Sequence, residues 1–116
     1  MHYKNLIVWQ KSMTLVVEVY KITKLFPKEE TYGLVSQMRR AAISIPSNLA
    51  EGSRRSSRKD YRNFILIAYG SASELETQLD ISHRLQLVIP EALTVARTLL
   101  EEVLRMLNKL CDEIKE

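Results

Sequence analysis

Apolar side chains recur every three or four residues in four separate segments of this chain, and this spacing constrains the fold more than any other feature. The last segment is the most regular. Its apolar positions are Ala96, Leu100, Val103, Leu107, Leu110 and Ile114. At 3.6 residues per turn, such a series lies along one side of a helix. No segment shows the strict alternation that a half-buried strand requires, so the pattern predicts an all-α fold.

The second and third segments carry one stripe each. The second stripe is Val35, Met38, Ala42, Ile45 and Leu49, and the third is Tyr61, Ile65, Ala68, Ala72, Leu75 and Leu79. Glu51-Gly52 marks the end of the second helix, because glycine often ends helices in the left-handed conformation. Ser57 and Asp60 resemble a capping box at the start of the third helix. We interpret the small residues at 70–73 as a position where a neighbouring helix packs closely.

Prolines mark three boundaries between or within these segments. Pro27 separates the first two, and Thr31 can cap a second helix that begins near Tyr32. Pro46 lacks the backbone donor and crowds the preceding turn, so we expect a kink, or a restart capped by Ser44. Pro90 suits the first turn of the fourth helix.

The first segment, residues 6–24, carries two apolar lines about 130° apart on the helix. One line is Leu6, Trp9, Met13, Val16 and Tyr20, and the other is Leu15, Val19, Ile22 and Phe26. We expect the first line to face the core. A single buried face does not require the second, which we interpret as a contact between subunits of a homo-oligomer.

The chain of 116 residues has the size of one domain. Short connections make consecutive helices antiparallel. The sequence therefore predicts that residues 1–116 form a single, antiparallel up-down four-helix bundle, kinked at Pro46. No apolar run approaches the roughly 18 residues needed to span a bilayer. The lone Cys111 and the lack of a signal-peptide pattern lead us to expect a cytoplasmic protein.

Charge is distributed unevenly along the chain. Residues 1–62 carry twelve basic and five acidic side chains, whereas residues 63–116 carry five basic and nine acidic ones. The excess is concentrated between residues 51 and 62. Its members are Arg54, Arg55, Arg58, Lys59 and Arg62, with Tyr61 among them. These cations can contact successive phosphates while the ring stacks on a base, which predicts a nucleic-acid site at one end of the bundle. A merely solvated helix start explains the cluster equally well.

Two further constellations receive structural interpretations. Arg39 and Arg40 should lie level with Glu74 and Glu76 of the third helix, where they would form ion pairs within or between subunits. A second set, Glu76, Asp80 and His83, imitates half of a helical metal site, but no matching motif exists elsewhere. Glycine-rich phosphate loops, Ser/His/Asp sets and paired zinc-type cysteines are also missing, so we expect no enzymatic activity, no metal and no cofactor.

Five motifs in a fixed order carry a family resemblance. They are Val8-Trp9-Gln10-Lys11, Tyr32-Gly33-Leu34, Gln37-Met38-Arg39-Arg40-Ala41-Ala42, Ile45-Pro46-Ser47-Asn48-Leu49-Ala50-Glu51-Gly52 and Gly70-Ser71-Ala72-Ser73-Glu74-Leu75-Glu76-Thr77-Gln78-Leu79. Over nearly its whole length the chain resembles the bacterial 23S rRNA intervening-sequence protein family, also called S23 ribosomal protein, a family of four-helix bundles. The connection at 86–89 lacks the glycine expected there.

The resemblance implies a homo-oligomer, specifically a pentameric barrel, similar to the basic accessory protein of diversity-generating retroelements that associates with nucleic acid and a reverse transcriptase. Together with the basic cluster, it predicts a homo-oligomeric scaffold that binds RNA or DNA through phosphates with little base selectivity. The alternative is an adaptor that recruits a protein partner, such as a polymerase or reverse transcriptase, without touching nucleic acid.

Overall fold

The computed structural model describes residues 2–114, which form four long helices. These are α1 (Ile7–Thr23), α2 (Ser36–Ser53), α3 (Arg58–Arg84) and α4 (Thr94–Glu113). Each helix packs against its neighbours in sequence, and α1 also packs against α4. This closed ring of contacts is the antiparallel up-down bundle expected from the four stripes. It is 45 Å long and 24 by 20 Å across.

The stripes of α2, α3 and α4 are buried as their spacing predicts. Met38, Ile45 and Leu49 of α2 are completely inaccessible, and Ile65, Leu75 and Leu79 of α3 meet them in the core. Tyr61 and Leu110 lie at the margins of these stripes and are only partly buried. The three helices therefore owe their positions to apolar burial on one face each.

The two apolar lines of α1 are not divided between core and surface as expected. Leu15, Val19, Ile22 and Phe26 lie in the core of the chain itself, so the prediction that they contact another subunit is wrong. Their burial beside Ser12 and Thr23 leaves no surface for a partner there. In the line expected to face the core, Met13 is 42% exposed, and Leu6, Trp9, Val16 and Tyr20 are half-buried.

The helix boundaries follow local chemistry. The side chain of Ser57 accepts a hydrogen bond from the backbone N–H of Asp60 at 3.1 Å, which confirms the predicted cap of α3. A short π-helical turn, Thr31–Val35, precedes α2, and Gly33 within it has a non-helical backbone. The long helix consequently begins at Ser36, later than the start predicted near Tyr32.

Pro46 lies inside α2 and does not end the helix. The helix is continuous from Ser36 to Ser53, so the alternative of a restart capped by Ser44 is wrong. The hydroxyl of Ser44 instead accepts hydrogen bonds from Asn48 Nδ2 and from Ser71 Oγ of α3, at 2.8 and 2.9 Å. The ring of Pro46 is buried. A kink at this residue stays a prediction.

Candidate nucleic-acid interface

The up-down order brings the end of α2 and the start of α3 to the same end of the bundle as the start of α1 and the end of α4. Two contacts fix this arrangement. The guanidinium of Arg54 lies 5.6 Å from the ring centroid of Tyr3, and Arg58 Nη2 donates to the carbonyl of Glu113 at 3.2 Å. We call this surface, with its cations between Arg54 and Arg62, the basic end.

Arg54 and Arg55 follow the last turn of α2, and each guanidinium lies over an aromatic ring. Arg54 covers Tyr3, whereas Arg55 lies 4.8 Å from the ring centroid of Phe64. Arg55 Nη2 also approaches Glu51 Oε2 at 3.4 Å, with both side chains about half exposed. Such an exposed pair contributes little free energy and opens readily for another anion. The rings restrain the two cations at the surface.

Arg58 and Arg62 lie one turn apart on α3, and both donate hydrogen bonds to carbonyls at the end of α4. Arg58 donates to the carbonyl of Glu113, and Arg62 Nε donates to the carbonyl of Cys111 at 3.4 Å. Cations are favourable beside the last carbonyls of a helix, and the carbonyl of Cys111 also accepts a hydrogen bond from the backbone N–H of Ile114 at 3.3 Å. Arg62, which is half-buried, is therefore a structural residue. Arg58 remains exposed despite its contact.

Tyr61 does not offer a free ring for stacking, so this part of the predicted site is corrected. The side chain is half-buried at the margin of the core and lies against Gly52, where an added Cβ atom would stand 3.1 Å from Tyr61 Cδ1. Burial also raises the pKa of its phenol above the ordinary value. The ring thus supports the contact between α2 and α3.

Four cations of the basic end remain exposed: Arg54, Arg55, Arg58 and Lys59. Lys59 makes no ion pair or hydrogen bond within residues 2–114. Such a group can donate several charge-assisted hydrogen bonds to phosphate oxygens. Sequence spacing indicated these residues, but not the rings of Tyr3 and Phe64 beneath two of them, because those contacts arise only when the helices pack.

The predicted ion pairs of Arg39 and Arg40 with Glu74 and Glu76 are wrong within the chain. Arg39 points towards α1, where its Nε donates to Thr23 Oγ1 at 2.9 Å and its guanidinium lies 4.3 Å from the Tyr20 ring centroid. Glu74 instead accepts from Gln78 Nε2 at 3.2 Å. Arg40 and Glu76 are exposed, and neither pairs with any residue between positions 2 and 114.

Asp80, which belongs to the set that resembles half of a metal site, forms an ion pair with Arg97. Its Oδ1 accepts from Arg97 Nη1 at 2.8 Å, which joins α3 to α4. In the part of the chain that the structure describes, no three His, Cys, Asp or Glu side chains gather closely enough to hold a metal ion. Across the same residues, no helix combines the length and apolar character needed to cross a membrane.

A shallow apolar groove of about 350 Å³ separates α1 from α2 on the outside of the bundle. Its lining includes Trp9, Met13, Val16, Ile43 and Ala50. Met13 and Ile43 are each 42% exposed. The partly exposed line of α1 therefore continues onto α2 as an apolar surface.

Comparison with known proteins agrees with this architecture. Residues 4–109 match the family described as 23S rRNA-intervening sequence protein. The fold is similar to the crystal structure of a protein of unknown function from the S23 ribosomal protein family of Bacteroides thetaiotaomicron, with a TM-score of 0.83. That similarity covers 90% of this chain and 98% of the other at 24% identity, which establishes a common fold. No curated protein matches this chain. Because the family match spans nearly all of the bundle, the chain belongs to the 23S rRNA-intervening sequence protein family.

Proposed function

We propose that this protein is a non-enzymatic, homo-oligomeric scaffold of the bacterial cytoplasm that binds RNA or DNA through phosphate contacts at the basic end. The observation that carries this proposal is the exposure of Arg54, Arg55, Arg58 and Lys59 on one surface. Contacts from these groups to phosphates depend on charge and are not specific for a base. Affinity should accordingly fall steeply as salt rises.

Assembly is the second part of the proposal. A second groove, between α1 and α4 and lined by Leu6, Ile7, Met106 and Leu110, provides apolar surface for a subunit contact, in place of the α1 residues that are buried in the core. The family resemblance favours a pentamer. Repeating the basic end around a ring would place several cationic surfaces within reach of one nucleic-acid molecule, which raises avidity without new contacts.

A charge-matched pair of variants tests the binding surface. The first combines Arg54→Gln, Arg55→Gln and Lys59→Gln, which leaves the capping residues Arg58 and Arg62 in place. The control combines Lys21→Gln, Arg84→Gln and Arg105→Gln, which removes three exposed cations elsewhere. Fluorescence anisotropy with a labelled 20-nucleotide RNA, at several salt concentrations, measures binding by both.

The first variant should bind more weakly, and its plot of log affinity against log salt should lose a slope of about 2, the value for three lost single-strand phosphate contacts. The control should retain most of the wild-type slope. Equal binding by the two variants, with helical content unchanged by circular dichroism, would contradict the proposal.

A protein-interaction adaptor is the second candidate, and the outer surface of α3 favours it. Leu66, Ile67 and Tyr69 are exposed there although they are large and apolar. In this alternative the surface recruits a polymerase or reverse transcriptase, while the basic end only aids solubility. Association with the protein partner would then resist high salt, and the variant of the basic end would still associate.

A further inference from the structure

An open cavity of about 680 Å³ lies along the outer side of the first half of α2, away from the basic end. Its lining includes Tyr20, Tyr32, Arg39, Arg40, Ser47 and Asn48. None of the residues that line it is acidic. Two arginines with no carboxylate in the lining make the cavity attractive to an anion.

Arg39 is held in a fixed position at one side of this cavity. Its Nε donates to Thr23 Oγ1 at 2.9 Å, and the Thr23 hydroxyl in turn donates to the carbonyl of Val19 at 2.7 Å. The guanidinium also lies face-on to the Tyr20 ring, 4.3 Å from its centroid. No residue within positions 2–114 receives a hydrogen bond from the Nη groups of Arg39. This fork of donors, already ordered, matches the geometry of a phosphate.

Arg40 and Tyr32 complete the polar and aromatic lining. Arg40 is exposed and pairs with nothing in the described part of the chain. Tyr32, on the π-helical turn before α2, is 97% exposed, the highest value among the exposed large apolar side chains of residues 2–114. Covering this exposed ring with a flat partner would remove apolar surface from water, which favours binding. A free ring beside two arginines is the combination that receives a base and its phosphate.

The cavity and the basic end lie on the same side of α2. Arg40 and Arg54 are fourteen residues apart, which is a separation of roughly 21 Å along the helix and about 40° around it. Ser47 lies between them on that surface. The only acidic residue of α2 is Glu51, and its carboxylate already faces Arg55. An extended strand could therefore pass from one arginine to the other without meeting an unpaired carboxylate on α2.

We propose that this cavity binds one nucleotide of a single-stranded nucleic acid whose phosphates, a few nucleotides further along, reach the basic end. Arg39 and Arg40 hold the phosphate of that nucleotide, and Tyr32 stacks on its base. The inference rests on the proposed function, since it extends the same interaction to a second contact on α2. It also assigns the stacking role to the exposed ring of Tyr32 in place of the half-buried ring of Tyr61.

Two single variants test the cavity, each with a matched control. Tyr32→Leu removes the ring and Arg40→Gln removes one cation, and both residues are exposed, so neither change should disturb the core. Tyr69→Leu and Arg84→Gln make the same changes on α3. The probes are a labelled 12-nucleotide uridine RNA and an abasic chain of the same length. Anisotropy over a range of salt concentrations gives the affinity of each variant for each probe.

Tyr32→Leu should weaken RNA binding by about 5- to 150-fold, the range for one lost stacking contact, and should leave binding of the abasic chain unchanged. Arg40→Gln should weaken binding of both probes and lower the salt slope by about 0.7. The two α3 controls should bind like the wild type.

Three results would overturn this inference, and they separate its failure from failure of the proposed function. If the wild type binds RNA through the basic end but Tyr32→Leu and Arg40→Gln bind equally well, only the cavity proposal fails. If Arg40→Gln alone weakens binding, the assignment of a stacked nucleotide fails. If the wild type binds neither probe at low salt, the proposed function fails, and the cavity proposal fails with it.

Discussion

Gly52 permits the close contact between α2 and α3 at the basic end. A Cβ atom added there would lie 2.7 Å from Phe64 Cβ and 3.3 Å from the carbonyl oxygen of Tyr61. The first distance is too short for two carbon atoms, so a side chain would force the helices apart. Gly70, also helical, is exposed, and an added Cβ there would have nothing within 4 Å.

Alanine at these two positions should therefore have opposite effects. Gly52→Ala should lower the free energy of unfolding by about 1 to 3 kcal/mol, the usual cost of overpacking. Gly70→Ala should raise it by about 0.5 to 1 kcal/mol, because alanine loses less backbone entropy in a helix. Urea denaturation of the two variants measures both changes. A neutral Gly52→Ala would contradict the contact described here.

The sequence indicated that both glycines matter, but for other reasons. Gly52 was expected to end α2 in a left-handed conformation, yet no glycine between residues 2 and 114 has a positive φ, and α2 continues to Ser53. The small segment around Gly70 was expected to touch a neighbouring helix. Ser71 and Ala72 do face α2, whereas Gly70 points outward. Spacing alone could not predict which of these small residues faces the neighbouring helix.

At the end of α3, glutamine occupies the left-handed position that glycine usually holds. Gln86 has a φ of 56°, in the left-handed region that favours glycine. The N–H of Leu87 donates to the carbonyl of Ser82 at 3.1 Å, and that of Gln86 donates to His83 at 3.0 Å. These two bonds define a Schellman motif. Glutamine therefore stands at the position in this connection where the positive φ favours the expected glycine.

Gln86→Gly should raise the free energy of unfolding by about 0.5 to 1 kcal/mol, because a left-handed backbone costs other residues roughly 1 to 2 kcal/mol. Gln86→Ala is the control, since alanine keeps the Cβ that causes the strain. Thermal denaturation of the two variants compares them. Equal stabilisation by alanine would show that the gain does not arise from the backbone.

The hydrogen bond from Arg62 to the end of α4 should stabilise that helix, and a substitution tests this. Arg62→Met keeps the apolar stem but removes the donor to Cys111, and should lower the free energy of unfolding by about 1 kcal/mol. Arg105→Met, on the exposed side of α4, should change it by less than about 0.5 kcal/mol. Faster amide exchange confined to the last turn of α4 would identify the cause. Equal effects of the two variants would argue against the cap.

The periodicity of α2, α3 and α4 was sufficient to predict their buried sides, but in α1 the choice was wrong. The buried side of α1 includes Ser12 and Thr23, whose polar side chains interrupt the apolar pattern of that side in the sequence. Their hydroxyls donate to the carbonyls of Trp9 and Val19, at 2.8 and 2.7 Å, so neither is left without a partner. Helix periodicity does not reveal such local compensation.

Considered as a whole, the molecule is one bundle with a cationic end and an apolar outer groove. The sequence predicted the up-down order of four helices and the exposed cations Arg54, Arg55, Arg58 and Lys59. It could not predict that Arg62 caps α4 or that Arg39 faces Tyr20, because both contacts join helices distant in sequence. The cavity beside Tyr32 likewise exists only after folding. Local patterns therefore specify this fold better than they specify the contacts of the candidate binding surface.

The central claim is that a homo-oligomer binds nucleic acid by charge, and size-exclusion chromatography with light scattering tests both parts in one measurement. The protein is run alone and with a structured RNA, at low and at high salt. The account predicts a discrete oligomer at both salt concentrations and a heavier complex with RNA only at low salt, because phosphate contacts weaken as salt rises. An oligomer that ignores RNA at both concentrations would contradict the binding claim and favour the adaptor. A monomer under every condition would contradict the scaffold itself.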